Sequence, residues 1–364
     1  RSAPTEAVSV NPTRWQAFWQ KYWLGIIFIG LAVIAGLSSL LARSPLFAST
    51  APTPNPLLMN LNEQRWKTLA PIPLARAGMA AAALENTIYT FAGETEVGPS
   101  AWVEAYDVKT NTWIQLTDKP TPVKNVSAVL IGEKFYIPGG ELADGSQSDQ
   151  MEVYNPRNDS WETMAPLPHA LSAYALAAYE GQLYLFGGWD GQNALSEVWR
   201  YSPIDNSWHQ ATAMPTARAF AGATEVKGKI YIMGGWDGTN ALDVNESFSP
   251  ARDAENEAAW ESEAPLPEKS YGIGVVDFAD TIFVVSKKSS QNEDFEQWIY
   301  SPEANSWQIA ETNLTANPII TEGSYVALND KIFLISGKVG QTLTDSVASF
   351  QAIYTFLLPF TVNN

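Results

Sequence analysis

Six tryptophans recur through this chain at nearly constant intervals. Trp66, Trp113, Trp161, Trp208, Trp260 and Trp307 are separated by 47, 48, 47, 52 and 47 residues. Tyr106, Tyr154, Tyr201 and Tyr300 each stand seven residues ahead of a tryptophan, and Phe248 stands twelve ahead of Trp260. Earlier in each unit an apolar run ends in small residues: IYTFAG to Gly93, FYIPGG to Gly140, LYLFGG to Gly188 and IYIMGG to Gly235. A fixed period of this size denotes an array of identical supersecondary units. Period and motif together select a propeller of four-stranded blades.

The third unit shows the expected pattern. Ser172 to Tyr179 forms an inner strand, Glu180 to Gln182 a turn, and LYLFGG a second strand. LSEVWRYS forms the third strand, Pro203 to Asn206 turns, and SWHQA forms the fourth. Apolar and alternating runs broken by Gly, Asn, Asp and Pro are strand and hairpin signals. The glycines Gly140, Gly188 and Gly235 are expected where blades approach closely. The repeated Trp and Tyr are expected to fill the space between blades.

Gly-Gly, then Tyr, then Trp seven residues later resembles a Kelch-repeat β-propeller from about Glu63 to Gln351. A WD40 propeller has a shorter repeat with Gly-His ahead of Trp-Asp. Here Trp189-Asp190 and Trp236-Asp237 follow the double glycine, and Gly-His is absent. The fifth unit departs from the pattern, with Ser286-Lys287 at the double-glycine position, and the fourth carries a five-residue insertion in SPARDAENEAAW. The sixth has no Trp seven residues after Phe350, so the lone Trp66 segment is expected to complete that blade and close the ring. The tail AIYTFLLPF competes for that place.

Ahead of the repeats, Tyr22 to Ala42 contains 21 residues without a charge. As a helix this segment spans roughly 31 Å, matching a hydrocarbon core of roughly 30 Å. Trp15, Trp19, Tyr22 and Trp23 stand where an interfacial aromatic belt belongs. Arg14 and Lys21 before the span, against Arg43 after it, favour a cytoplasmic N-terminus. The expected fold is therefore all-β, a six-bladed Kelch-type propeller preceded by one N-terminal transmembrane α-helix. Its expected segments are 1–21 cytoplasmic, 22–42 transmembrane, 43–60 a Pro/Ser/Thr-rich linker, 61–351 propeller and 352–364 an apolar tail. The propeller would then lie outside the cytoplasm, and the absence of cysteine is compatible with a bacterial exported domain.

The first 50 residues carry +3, so a total of −17 leaves −20 on the remainder. Such an acidic propeller is a poor match for nucleic acid or anionic lipid. The sequence holds two histidines and no cysteine, and no Walker, dinucleotide or Gly-x-Ser-x-Gly motif. No catalytic residue, metal ligand or cofactor is therefore assigned. Asp190-Gly191 and Asp237-Gly238 suggest turn geometry ahead of calcium binding.

In Kelch-type propellers the loops joining second to third strands and fourth to first strands share one face. Carried onto this sequence, that face collects Arg76, Lys124, Arg218 and Lys269, with Tyr174, Phe220 and Tyr271 nearby. Glu94, Glu141, Trp189, Asp190, Trp236 and Asp237 come from the other loops. Aromatics and Arg are typical interface anchors. Trp189 and Trp236, in equivalent loops of adjacent blades, either join into one aromatic ledge or each pack on their own hairpin.

The leading expectation is a non-catalytic binding and scaffolding module, a single-pass accessory subunit of a larger membrane complex. Its partners would be other membrane-protein subunits, with a peptide or glycan as further ligands of the face. One alternative is the external sensor domain of a signalling protein that continues upstream of Arg1. The other is a carbohydrate-binding or sugar-isomerising propeller.

Overall fold

Each repeat folds into one antiparallel four-stranded sheet, and the described residues form six such sheets. The computed structural model describes residues 66–287, 295–311 and 320–352. The expected segments 1–21, 22–42 and 43–60, and the tail beyond Ala352, lie outside the described residues. Among the described residues no helix is long and apolar enough to cross a membrane.

The third blade sets the pattern with strands Ala175–Tyr179, Gln182–Phe186, Val198–Ser202 and Ser207–Ala211. Its inner strand starts three residues later than the sequence suggests, because Ser172 to Tyr174 turn into the rim of the central channel. Ala173 there adopts a positive φ of 52°. Successive inner strands are neighbours around the axis, and the first, Ala80–Leu84, also meets the last, Ser324–Leu328. The ring is closed by the N-terminal strand Trp66–Thr68, which pairs with the third strand of the sixth blade through Trp66↔Phe350. That blade therefore combines both ends of the described chain, as the unpartnered Trp66 repeat implies, and leaves no open edge between first and last blade.

The repeated residues stitch each blade to the next. The third-strand aromatic is fully buried, as in Tyr106, Tyr154, Tyr201, Phe248 and Tyr300. It stands cross-strand from its Trp with ring centroids 4.9 to 5.2 Å apart in all six blades. The tryptophans themselves are half-buried. The indole N–H groups of Trp113, Trp161, Trp208, Trp260 and Trp307 each donate 3.0 Å to a carbonyl of the preceding blade: Ala70, Thr117, Ala165, Thr212 and Ala264. The turn residues Asn111, Asp159, Asn206 and Asn305 accept both the tyrosine hydroxyl of their own blade and a backbone N–H of the preceding one. In the fourth blade the insertion forms a short helix, Pro250–Ala254, and its Asp253 accepts from Thr212 instead.

The glycine pairs are required by contact as well as by φ. At Gly187 (φ +57°) a Cβ would lie 2.4 Å from the carbonyl oxygen of Arg218 in the next blade. At Gly188 (φ +110°) it would lie 2.8 Å from the Ser172 carbonyl of its own blade. The second glycine also donates its N–H across the blade boundary, from Gly140 to Leu171, Gly188 to Arg218 and Gly235 to Ser270. At the closure of the ring Ser336 replaces a glycine. Its hydroxyl accepts from Arg76 N at 2.9 Å and lies 2.7 Å from the carbonyls of Arg76 and Thr344.

Candidate functional site

Each inner strand is preceded by one residue in the left-handed region: Gly78, Asn125, Ala173, Phe220, Gly272 and Glu322. These six form a backbone collar round the channel. Asn125 N donates to Gly78 O, Ala173 N to Asn125 O, Phe220 N to Ala173 O and Gly272 N to Phe220 O, and Gly78 N reaches Glu322 O across the closure, at 2.7 to 3.0 Å. The collar and the starts of all six inner strands line a channel cavity of about 270 Å³.

The chemistry of the rim is set by one position per blade, the residue after the glycine pair. It is Glu94, Glu141, Trp189, Trp236 and, in the sixth blade, Lys338. Each is held by a backbone bridge to the residue just ahead of the collar: Ala77, Lys124, Ser172, Ala219 and Thr321. The rim therefore divides in two. Blades six, one and two are charged. Lys124 reaches Glu94 at 2.7 Å and Glu141 at 3.5 Å. Lys338 reaches Glu94 at 3.3 Å and Glu322 at 2.9 Å. Partial burial opposes the ionisation of Glu94, but hydrogen bonds and charge from Lys124 and Lys338 outweigh it and hold its carboxyl below the usual range. Partial burial likewise opposes the charge on Lys124 and Lys338, and their glutamates raise both above an ordinary lysine.

Blades three to five are aromatic. The rings of Trp189 and Trp236 lie 5.2 Å apart, tilted by 45°. Both are half-buried, and their ring contact joins the two tryptophans into a shared ledge. Phe220 and Tyr271 meet edge to face at 6.2 Å, and Tyr271 is 57% exposed. The bridge from Ala219 to Trp236 sets this second pair beside the first. Asp190 and Asp237 cap the turns that carry the tryptophans. Asp190 Oδ1 accepts from the backbone N–H of Gln192 and Asn193, and Asp237 Oδ1 from those of Thr239 and Asn240. Those N–H groups keep Asp237 below the ordinary aspartate range, and they do the same for Asp190 against partial desolvation. Lys269 is exposed at the start of blade five.

Three residues assigned to this face from sequence lie beneath it. Arg76 and Arg218 are 0% and 1% exposed. The Arg76 guanidinium bonds to the Ala92 and Trp102 carbonyls, to Thr90 and to the buried carboxylate of Glu104. Arg218 pairs with Glu246 at 2.7 Å. Burial pushes the Arg218 guanidinium down to about 10, against the Glu246 charge and hydrogen bond that raise it. A third buried pair joins Lys119 to Glu152. A long cation ahead of the inner strand turns inward because a third-strand carboxylate waits there, so these arginines tie the blade together beneath the face. Tyr174 is also buried, with its hydroxyl donating to Pro138 O between blades two and three. Sequence reasoning missed Glu322 and Lys338, although Lys338 follows Ser336-Gly337 as Trp189 follows its glycines. Among the described residues no group of three or more His, Cys, Asp or Glu is placed to hold a metal ion.

Six four-stranded blades closed into a ring round a channel define a β-propeller. The chain belongs to the Kelch-repeat family: the KLHDC2/KLHL20/DRC7 Kelch-repeats domain matches residues 49–214 and 125–337. Curated relatives include Kelch-like protein terF of Aspergillus terreus, 37% identical over 30% of this chain and 25% of its own length. Kelch-like protein 25 of Xenopus tropicalis is 30% identical over 35% of this chain and 23% of its own length. The match thus spans about a quarter of each of these relatives. The solved structure of YjhT shares the fold, with a TM-score of 0.64 and 16% identity over 76% of this chain and 95% of that one. Kelch propellers are typically protein-interaction modules.

Proposed function

We propose that this propeller is a non-catalytic protein-binding module, held outside the cell membrane by the span 22–42 as an accessory subunit of a membrane complex. The observation that carries the binding reading is the Trp189–Trp236 ledge, two large, half-buried aromatics whose rings meet 5.2 Å apart from equivalent loops of adjacent blades. The repeated tryptophans pack on the third-strand aromatics, whereas Trp189 and Trp236 stand in turns at the rim, where aromatics are the usual anchors of a protein interface. The rigid collar supports the same reading, since it presents the ledge with little conformational freedom to lose on binding. The charged arc across the mouth supplies polar groups that fix the orientation of a partner. The membrane part of the proposal rests on the uncharged span and its flanking aromatics.

Solubilising the native membrane in mild detergent and identifying what co-purifies by mass spectrometry tests this. A stoichiometric set of membrane proteins is expected, and it should be lost with Trp189→Ala/Trp236→Ala. Recovery of a monodisperse single chain contradicts the proposal.

A further inference from the structure

The two halves of the rim differ in what they leave for a ligand. In the charged half Lys124 and Lys338 are already matched to Glu94, Glu141 and Glu322. In the aromatic half each tryptophan is followed directly by an aspartate, and Asp237 is exposed. Both aspartates keep their turn geometry through one oxygen that accepts two backbone N–H groups. The same turn N–H groups hold both carboxyls below the ordinary aspartate range. Among the described residues of the mouth, Glu94, Glu141, Glu322, Asp190 and Asp237 oppose Lys124, Lys338 and Lys269, so negative charge is in excess among them. The chain as a whole carries −17. The indole rings are tilted by 45°, so the two together form an angled cleft and not one coplanar surface.

The geometry points to a cationic peptide segment of a partner protein as the ligand of this face, with an Arg or Lys side chain laid on the Trp189–Trp236 ledge beside Asp190 and Asp237. This rests on the protein-binding reading above and gives the partner its chemistry. Tryptophan is the strongest aromatic partner for a cation, and a guanidinium both stacks on an indole face and covers it with its alkyl stem. The negative field of the chain draws such a segment to the mouth and turns acidic segments away.

The test uses the full chain in mild detergent and three fluorescein-labelled peptides of equal length, alternating Gly-Arg, Gly-Asp and Gly-Pro, read by fluorescence anisotropy. Maltohexaose serves as an unlabelled competitor. The Gly-Arg peptide is expected to bind most tightly and to weaken as salt is added. Trp189→Ala/Trp236→Ala leaves the charge unchanged and is expected to weaken binding about tenfold or more. Asp190→Asn/Asp237→Asn keeps the turn acceptors, and with them the fold, and is expected to weaken binding by about threefold or more and to flatten the salt dependence. Unchanged Gly-Arg affinity in both variants overturns the proposal, as does tighter binding of the Gly-Asp peptide or displacement of Gly-Arg by maltohexaose. If co-purifying proteins depend on Trp189 and Trp236 while the Gly-Arg peptide does not, the protein-binding reading stands and the cationic ligand falls. If nothing co-purifies, the protein-binding reading itself falls.

Discussion

Removing the carboxylate of Glu246 is expected to destabilise the propeller more than any surface charge change. Both side chains of the Arg218–Glu246 pair are shut off from water, at 0% and 4% exposure, and meet at 2.7 Å. Glu246 also accepts from Thr216 Oγ1 at 2.8 Å, and among the described residues the second partner of the Arg218 guanidinium is the Ile232 carbonyl at 3.3 Å. Glu246→Gln therefore leaves a guanidinium buried without its counter-charge, a loss of about 3–5 kcal/mol. For a domain of this size that corresponds to a fall in Tm of about 6–10 °C. Arg218→Met alone strands the carboxylate and costs a similar amount. The double variant Arg218→Met/Glu246→Gln removes both charges, and its loss is expected to fall well below the sum of the two. Exposed Glu261, which meets Lys229 at 2.6 Å, provides the control. Glu261→Gln is expected to cost less than about 1 kcal/mol. Thermal unfolding followed by circular dichroism gives all four values. Additive losses in the double variant, or equal losses for Glu246→Gln and Glu261→Gln, refute the assignment of Arg218 to the blade core.

Trp66→Ala removes a ring 5.2 Å from Phe350 at the closure of the propeller. It is expected to cost about 2 kcal/mol in a denaturant titration, and deleting the chain through Thr68 is expected to expose the sixth blade's third strand and yield aggregated protein on size exclusion. Gly187→Ala puts a Cβ 2.4 Å from the Arg218 carbonyl at a φ of +57°. It is expected to lose at least about 2 kcal/mol, where Gly181→Ala, whose Cβ meets nothing within 4 Å, loses less. The depressed pKa of Glu94 contributes stability that is complete above its ordinary value near 4.5 and is lost as pH falls through the folded value. The raised values of Lys124 and Lys338 contribute stability that is complete below about 10.5 and is lost as pH rises further. Tm measured against pH should therefore drop at both ends, and Glu94→Gln should flatten the acid limb.

The repeat made the ring legible. Each Trp and its aromatic partner stand at a fixed offset because they are opposed on adjacent antiparallel strands, and the surplus Trp66 fits only a sixth blade that lacks its own. The rim was legible where its residues are carried by turns: Trp189-Asp190-Gly191 and Trp236-Asp237-Gly238 announce a hairpin and put an aromatic at its base. Arg76 and Arg218 were misplaced because loop position says where a Cα lies, and a long side chain travels further than its Cα. The signal that corrects them is a glutamate two residues before the third-strand aromatic, at Glu104, Glu152 and Glu246. An acid in an otherwise buried strand calls for a cation, and the cations at hand are Arg76, Lys119 and Arg218. Lys338 and Glu322 were legible by register, since Lys338 follows Ser336-Gly337 as Glu94 follows Ala92-Gly93, and Glu322 stands ahead of its inner strand as Phe220 does.

The central claim is that the channel mouth bearing the tryptophan ledge engages another protein. It is tested most directly by placing a photo-crosslinking amino acid at Tyr271, which is 57% exposed on that mouth, and at Ile204, which is 96% exposed in a turn on the opposite face. Irradiation of native membranes is expected to give a discrete adduct to one protein from position 271 and none from position 204. Equal labelling from both positions, or no adduct from position 271, contradicts the account.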